Sequence, residues 1–549
     1  MLVLEISNVE KYFGIRKIIE IKDLKIYKEN KIGIVGLNGS GKTTLLNLIN
    51  GDIKPDKGNI RTFGKVSYIR QLGDEYGNSI EGKYKSQFGL KGKEAKYMSG
   101  GEQTRLKIAK AFSENPLLLL ADEPTSNLDL DGIDLLVENL LQYDGALMVA
   151  SHDRDLLDKV CNRILEIEDG KIKIYEGNYS QYKEQKELDK KTKEVEYEKY
   201  IKEKERLKRA IVETKSKAKS IRKVPKRMGN SEARLHKMGS QNAKKTLEKK
   251  AKALETRLQK LEVKDKVNEI NKIKVDILGD KIYSKVIVEG KGVNKSFGDS
   301  ILFKNVEFQI YNGTKTALIG KNGSGKTTLL RMIINGEEGI NISNRAKIGY
   351  FSQDLSILDK NKTIIENVMD TSIWDENTVR SILARFLFKR DDVYKKISVL
   401  SGGEKVKVSL VKILMSDFNM LIMDEPTNYL DIYSIEALEE ALISYGGTIL
   451  FVSHDRRFIE KVADRIIYIE DNKVNAFNGT LKEYELKKIE SQNESLKEIQ
   501  ERRAILEYRL SEILGKLSMP SKDDDIEALD REYNEILKEL KSIRETNIL

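Results

Sequence analysis

Two kinds of hydrophobic pattern alternate along this chain. Short, unbroken apolar runs such as "LLLLA" (Leu117–Ala121) have the length of strands buried on both faces of a parallel sheet. In the middle of the chain the apolar period changes to three and four. Tyr197, Tyr200, Lys204, Leu207, Ile211, Thr214, Ala218 and Ile221 form one stripe, and Leu247, Ala251, Leu254, Leu258 and Leu261 a second. Such stripes predict two antiparallel helices, and Pro225 and Gly229 between them must break the helix. From Lys183 to Ile221 that hairpin would be on the order of 60 Å long. A second pair of stripes closes the chain. Leu496, Ile499, Leu506, Leu510, Ile513 and Leu517, interrupted by Arg503, precede Pro520 and the acidic turn 523–525; Ile526, Leu529, Tyr533, Ile536, Leu540 and Ile543 follow. They predict a small C-terminal coiled coil.

The strand-rich parts are copies of each other. "GIVGLNGSGKTTLLNLI" (Gly33–Ile49) returns as "ALIGKNGSGKTTLLRMI" (Ala317–Ile333), and "MSGGEQTRLKIAKA" (Met98–Ala111) as "LSGGEKVKVSLVKI" (Leu400–Ile413). "LLLLADEPTSNLD" returns as "NMLIMDEPTNYLD", and "MVASHDRDLL" as "LFVSHDRRFI". Ser99 to Glu123 and Ser401 to Glu425 are both 24 residues; Glu123 to His152 and Glu425 to His454 are both 29. Each half reads strand, glycine loop, helix, a further helix, and an apolar strand ending in Asp-Glu, which suits an α/β fold with a parallel sheet. One interval differs: Gln71 to Ser99 spans 28 residues and Gln353 to Ser401 spans 48, so the copies differ by about two helices' worth of chain.

Charge adds a third feature. The formal net charge is +10, and the segment 211–250 alone, with 13 Lys/Arg and three Asp/Glu, accounts for all of it. Such a block either solvates a helix or meets a polyanion, nucleic acid or a membrane surface. Cys161 is the only cysteine, which excludes disulfide frameworks and cysteine-based zinc or iron–sulfur clusters within one chain. No apolar run approaches the ~18–20 residues that span a bilayer. The N-terminal residues lack the apolar core of a signal peptide, so a cytoplasmic location is expected.

The repeated motifs carry chemistry. Gly36–Thr43 and Gly320–Thr327 fit G-x-x-x-x-G-K-[ST], a loop whose glycines let backbone N–H groups and a helix N-terminus surround phosphates. Lys42 and Lys326 would neutralise the β- and γ-phosphates of ATP, and Thr43 and Thr327 would ligate Mg²⁺. Asp122 and Asp424, at strand ends, suit the same metal; Glu123 and Glu425 suit polarising the attacking water. Equal spacing from these glutamates argues that His152 and His454 contact the γ-phosphate. Gln71 and Gln353, after short strand-like runs, are placed to complete the Mg²⁺ and water shell. The helix openings Ser99–Gly101 and Ser401–Gly403 fit a head-to-tail pair in which each half seals its partner's ATP. The loop set is completed by Asn38, Gly39, Ser40, Gly41 and Thr44, and by Asn322, Gly323, Ser324, Gly325 and Thr328.

Together these four elements resemble the ATP-binding-cassette superfamily over roughly 400 residues. The resemblance implies that Phe13 and Phe297, in "KYFG" and "KSFG", stack on adenine. Twin fused cassettes, no membrane segment and the charged linker opening with "YEGNYSQY" are similar to the ABC-F class of translation factors. That implies cassettes at 1–182 and 285–486, a helical linker at 183–284 with its basic tip at about 222–240, and a C-terminal extension at 487–549. It implies binding at the exit-tRNA site of the 70S ribosome, with rRNA and P-site tRNA as partners, and a chain monomeric off the ribosome with no membrane partner. Arg222, Lys223, Lys226 and Arg227 would meet RNA phosphates, with Met228, Asn230, Arg234 and Lys237 completing the tip. The absence of an inserted arm after Gln71 and the tip "KVPKRMGNSEARLHK" resemble the members that protect ribosomes against lincosamides, streptogramin A and pleuromutilins. A housekeeping translation factor and a transporter ATPase subunit are the alternatives. For the C-terminal coiled coil, a small-subunit contact and a self-packing stabiliser both remain open.

Overall fold

The computed structural model describes residues 1–71, 88–90, 98–221, 230–263, 284–298, 300–352, 357–388, 390–518 and 526–546. In the first half a nine-stranded sheet has the order β4-β1-β2-β9-β8-β3-β7-β6-β5. Its antiparallel wing is β1 (Leu2–Phe13), β2 (Arg16–Tyr27) and β4 (Lys57–Thr62); its parallel centre is β3 (Lys31–Gly36), β5 (Val66–Ile69), β6 (Leu118–Asp122), β7 (Ala146–Ala150) and β8 (Arg163–Glu168). β9 (Lys171–Glu176) runs antiparallel to β8 and joins the two parts through Glu20 and Lys171. The helices of this half are α1 (Lys42–Asn50), α2 (Gly100–Ser113), α3 (Leu130–Gln142) and α4 (Arg154–Val160). Every residue of β6 and β7 is buried, as unbroken apolar runs require when helices cover both faces of a sheet.

The second half repeats the plan after the long hairpin of α5 (Tyr179–Ser220) and α6 (Asn230–Gln259). Its wing is β10 (Val286–Phe297), β11 (Ser300–Tyr311) and β13 (Ile340–Ile342). Its centre has the order β14-β15-β16-β12-β17-β18, from β12 (Lys315–Gly320), β14 (Ile348–Phe351), β15 (Met420–Asp424), β16 (Thr448–Val452), β17 (Arg465–Glu470) and β18 (Lys473–Asn478). The helices are α7 (Lys326–Asn335), α8 (Ile364–Met369), α9 (Glu376–Arg385), α10 (Gly402–Leu414), α11 (Ile432–Ser444) and α12 (Arg456–Val462). α8 and α9 fill the longer of the two unequal intervals. They bring Ile364, Val368, Val379, Ile382 and Leu383 into the core of this half. In the shorter interval Phe88 and Leu90 are buried in the first half's core; residues 72–87 and 91–97, like Gln353, lie outside the described residues.

α5 and α6 pack along the expected stripes: Leu207, Ile211, Thr214 and Ala218 are buried, and so is Ala251 opposite them. Lys215–Glu255 (2.6 Å) and Arg257–Glu203 (3.3 Å) flank the seam. At 42 residues α5 is about 60 Å long. It begins at Tyr179, ahead of the expected linker start, because Asn178 and Gln181 form a reciprocal cap at the chain's exit from β9. Thr480 and Glu483 start α13 (Leu481–Ser518) in the same way, so this helix runs unbroken out of the second half. α13 pairs with α14 (Ile526–Thr546) through Leu506, Ile513 and Ile536. The basic-tip residues Arg222, Lys223, Lys226, Arg227 and Met228 lie outside the described residues, and Asn230, Arg234 and Lys237 fall on the first turns of α6. Among the described residues no helix is long and apolar enough to cross a membrane.

Candidate active sites

Each glycine loop leaves the C-terminal end of a central strand, β3 or β12, and enters a helix, α1 or α7. Gly41 and Gly325 cap those helices at φ 107° and 101°, and a Cβ there would press on Ile18 (2.9 Å) and Phe303 (2.7 Å). Only glycine fits, and the free N–H groups of the first turn therefore face the loop's concavity. Lys42 and Lys326 are buried, their ammonium groups donating to the carbonyls of Gly36 (2.9 Å) and Gly320 (2.8 Å). Burial pulls both below the ordinary lysine range, opposed by Glu123 for Lys42 and by Glu425 for Lys326. The hydroxyls of Ser40 and Ser324 are buried without a hydrogen-bond partner, as an acceptor-rich phosphate group would require of its loop. Thr44 and Thr328 lie on α1 and α7, one residue past Thr43 and Thr327.

The Thr43 hydroxyl donates to Asp122 at 2.7 Å, and Thr327 interacts with Asp424 in the same way. Burial raises both aspartates. A hydroxyl beside a carboxylate, both at the phosphate loop, is the oxygen donor set that suits Mg²⁺. Glu123 and Glu425 follow with φ of 47° and 49°, a left-handed conformation costing a non-glycine residue about 1–3 kcal/mol. The Glu123 N–H donates to the Ala150 carbonyl (2.8 Å) and the Glu425 N–H to that of Val452 (3.0 Å), which ties each bend to the neighbouring strand. Burial pushes Glu123 up to about 8 and Glu425 to about 7. His152 Nε2 lies 3.5 Å from Glu123 Oε1, and His454 Nε2 lies 3.3 Å from Glu425 Oε1. Burial lowers both histidines to about 3, so the rings are neutral at physiological pH. Gln71 is exposed just past β5. Phe13 and Phe297 are half exposed at the ends of β1 and β10, each with a lysine ammonium 5.9 Å from its ring.

The halves close head to tail. Ser99 and Ser401 cap α2 and α10 with Glu102 and Glu404 as reciprocal partners, leaving Gly100, Gly101, Gly402 and Gly403 in the first turns. A Cβ on Gly101 would lie 2.7 Å from Asn322 of the opposite phosphate loop, and one on Gly403 would lie 2.9 Å from Asn38. Those asparagines reach further: Asn38 Nδ2 donates to the Tyr429 carbonyl (2.8 Å) and Asn322 Nδ2 to that of Asn127 (2.7 Å). Each phosphate loop is therefore roofed by the capped helix of the other half.

Several residues at these sites lie outside the sequence-derived set. The Asn322 N–H donates to Asp129 (2.9 Å), and Asp431 pairs with buried Lys407 (2.6 Å), its charge partly opposing the lowering that burial imposes on Lys42 and His152. Arg154, fully buried, pairs with Glu439 and with Asp455 (3.5 Å) across the two halves. Both aspartates and Arg154 with its copy Arg456 are repeated in register, at the ends of "DEPTSNLD" and "SHDR". That repetition was the available signal.

Comparison with known proteins agrees with this geometry. Family models described as "ABC transporter" match residues 20–82, 78–126 and 303–428, and a further one matches 165–277. The chain is 34% identical to the "Ribosome protection protein VmlR" of Bacillus subtilis (strain 168), over 95% of this chain and 96% of that one. It is 36% identical to the "Erythromycin resistance ATP-binding protein MsrA" of Staphylococcus epidermidis, over 81% and 93%. Among solved structures, a complex of an archaeal ribosome recycling factor with a ribosomal stalk protein matches at 20% identity and TM-score 0.59, covering 88% of this chain and 92% of that one; this likeness concerns the fold. Two cassettes in head-to-tail register, joined by a helical hairpin and matched along almost their whole length, place this chain in the ABC-F family of ATP-hydrolysing proteins.

Proposed function

We propose that this chain is a cytoplasmic ribosome-protection ATPase. It binds the exit-tRNA site of the 70S ribosome, places the hairpin tip at about 222–240 against rRNA and P-site tRNA near the peptidyl-transferase centre, and dislodges lincosamides, streptogramin A and pleuromutilins. The observation that carries this reading is the hairpin itself. α5 extends about 60 Å, and the segment 211–250 at its far end carries a net +10, the whole excess charge of the protein. A polyanion is what such a projection suits, and the ribosome protection named for the Bacillus subtilis relative favours the ribosome. We assign cassettes to 1–182 and 285–486, the linker to 183–284 and an extension to 487–549.

In each ATP site the lysine, Lys42 or Lys326, meets the β- and γ-phosphates, and Phe13 or Phe297 the adenine. Thr43, Asp122 and Gln71 would hold Mg²⁺ in the first site, and Thr327, Asp424 and Gln353 in the second. A Mg²⁺ ion held there would supply charge neutralisation for phosphoryl transfer. Glu123 and Glu425 orient the attacking water and accept its proton, and neutral His152 and His454 donate toward the γ-phosphate. Ser99–Gly101 and Ser401–Gly403 close the opposite sites.

The test is to excise Val224–Gly239, join the helices, and express the protein in a sensitive bacterium challenged with the three drug classes. Loss of protection with unchanged basal ATP hydrolysis is the expected result. Full protection by the shortened protein would sink the resistance reading and favour a housekeeping translation factor.

A further inference from the structure

The linker helix α5 is fastened at its root by residues from both cassettes. Glu166, 3% exposed on β8, receives the Tyr182 hydroxyl (2.7 Å) and the Lys186 ammonium from α5. It also receives the Tyr433 hydroxyl (3.1 Å) from α11 of the second cassette. Lys186 donates to Tyr433 as well (2.7 Å), and Lys183 pairs with Glu436 one turn further along α11 (2.5 Å). Apolar packing follows the same route: Ile432 of α11 is buried in the first cassette's core beside Tyr175, Tyr179 and Tyr182. A carboxylate this buried depends on having its partners, and one of them arrives only when the second cassette docks.

The same short helix reaches the first ATP site. Asp431 caps α11 through the Ser434 N–H (2.9 Å) and lies beside Lys42 and His152, while Tyr429 receives Asn38 of the phosphate loop. Tyr433 is two residues from Asp431. The duplicated position in the other half lacks the shared carboxylate: Tyr468 replaces Glu166 and lies tilted against Tyr484 at 5.0 Å, Asp131 replaces Tyr433, and the root of α13 is tied to the first cassette by Arg456, which donates to Glu485 and to Asp134 of α3. We infer that Tyr433, with Glu166, Tyr182 and Lys186, is a positioning cluster that sets the direction of the linker when ATP closes the first site.

Spin labels on Cys residues placed at exposed Val212 of α5 and Ile443 of α11, in a Cys161→Ala background, read the linker's direction as a distance distribution. Full-length protein is compared without nucleotide and with a non-hydrolysable ATP analogue. The intact cluster should give one narrow distribution with the analogue. Tyr433→Phe and Lys186→Met should each broaden it toward the nucleotide-free one, while ribosome-free ATP turnover stays within about twofold. Tyr484→Phe in the duplicated position should leave it narrow. If both cluster variants keep a narrow analogue-bound distribution, or if Tyr484→Phe broadens it as much, the inference is overturned. None of these outcomes depends on what the tip touches, so the proposal fails or stands separately from the drug reading.

Discussion

Glu123 and Glu425 are held where a proton acceptor for water is needed, one bend past a strand end and beside a neutral histidine. Changing both to Gln keeps the phosphate loops intact and removes the acceptor. ATP should still bind while hydrolysis falls by about 100-fold or more, and the trapped protein should stay on ribosomes; a normal turnover rate in the double variant would remove these glutamates from the mechanism. Their pKa values, raised by burial to about 8 and about 7, also fix a pH dependence. The folded chain keeps protons that the unfolded chain has released, so stability falls as pH rises from the carboxylate range to about 7–8. His152 and His454, lowered to about 3, act the other way but only below about 6.5, the ordinary histidine value. Urea unfolding between about pH 6.5 and about 8.5 therefore isolates the glutamates, and the double Gln variant should lose the downward slope seen there. Over the same window kcat/KM of the unaltered protein should rise, because the acceptor must be ionised.

At the scale of elements, stripe and cap decide what forms. α5 and α6 meet along Leu207, Ile211, Thr214, Ala218 and Ala251, a seam close enough that its small residues leave no room. Ala251→Leu should overpack it at a cost of about 1–3 kcal/mol, read as earlier loss of hairpin helicity on heating while the cassettes unfold as before. Lys215→Ala, which breaks an exposed pair with Glu255, should cost at most about 1 kcal/mol. The helical character of the linker was readable from its three-four period. Its start at Tyr179 was not, because the reciprocal Asn178–Gln181 cap matters only where β9 hands the chain over.

For the whole molecule, a small set of buried charges adds to the apolar and polar contacts between the halves. Arg154, fully buried, offsets Glu439 and Asp455 of the other half; Lys461 also reaches Glu439 at 2.7 Å. Arg154→Met should leave buried carboxylates short of a partner and weaken closure by about 3–5 kcal/mol, toward the low end because Lys461 remains. Arg456→Met should weaken it less, since Asp134 and Glu485 keep 44% and 31% of their side-chain surface in water. The ATP concentration needed to close the cassettes, followed by a label pair across the interface, checks both. Ribosome affinity should fall with salt by ~0.7–0.9 in log K per log salt for each phosphate contact. Neutralising Arg222, Lys223, Lys226 and Arg227 should flatten that slope without changing ribosome-free ATP hydrolysis.

Periodicity and repetition alone determined most of this protein. Two α/β cassettes, their loops at strand ends and the helical hairpins follow from spacing, because local steric rules and a duplicated register leave few alternatives. The left-handed bends at Glu123 and Glu425, the approach of Asn38 and Asn322 to Gly403 and Gly101, and the burial of Arg154 needed the folded chain. Glu166 shows the reason most plainly. In sequence it is one acidic residue in "ILEIE", with the pattern of an ordinary strand. Its partners Lys186 and Tyr433 stand 20 and 267 residues away; the start of the linker helix brings the first, and only the docking of one copy on the other brings the second to the same carboxylate.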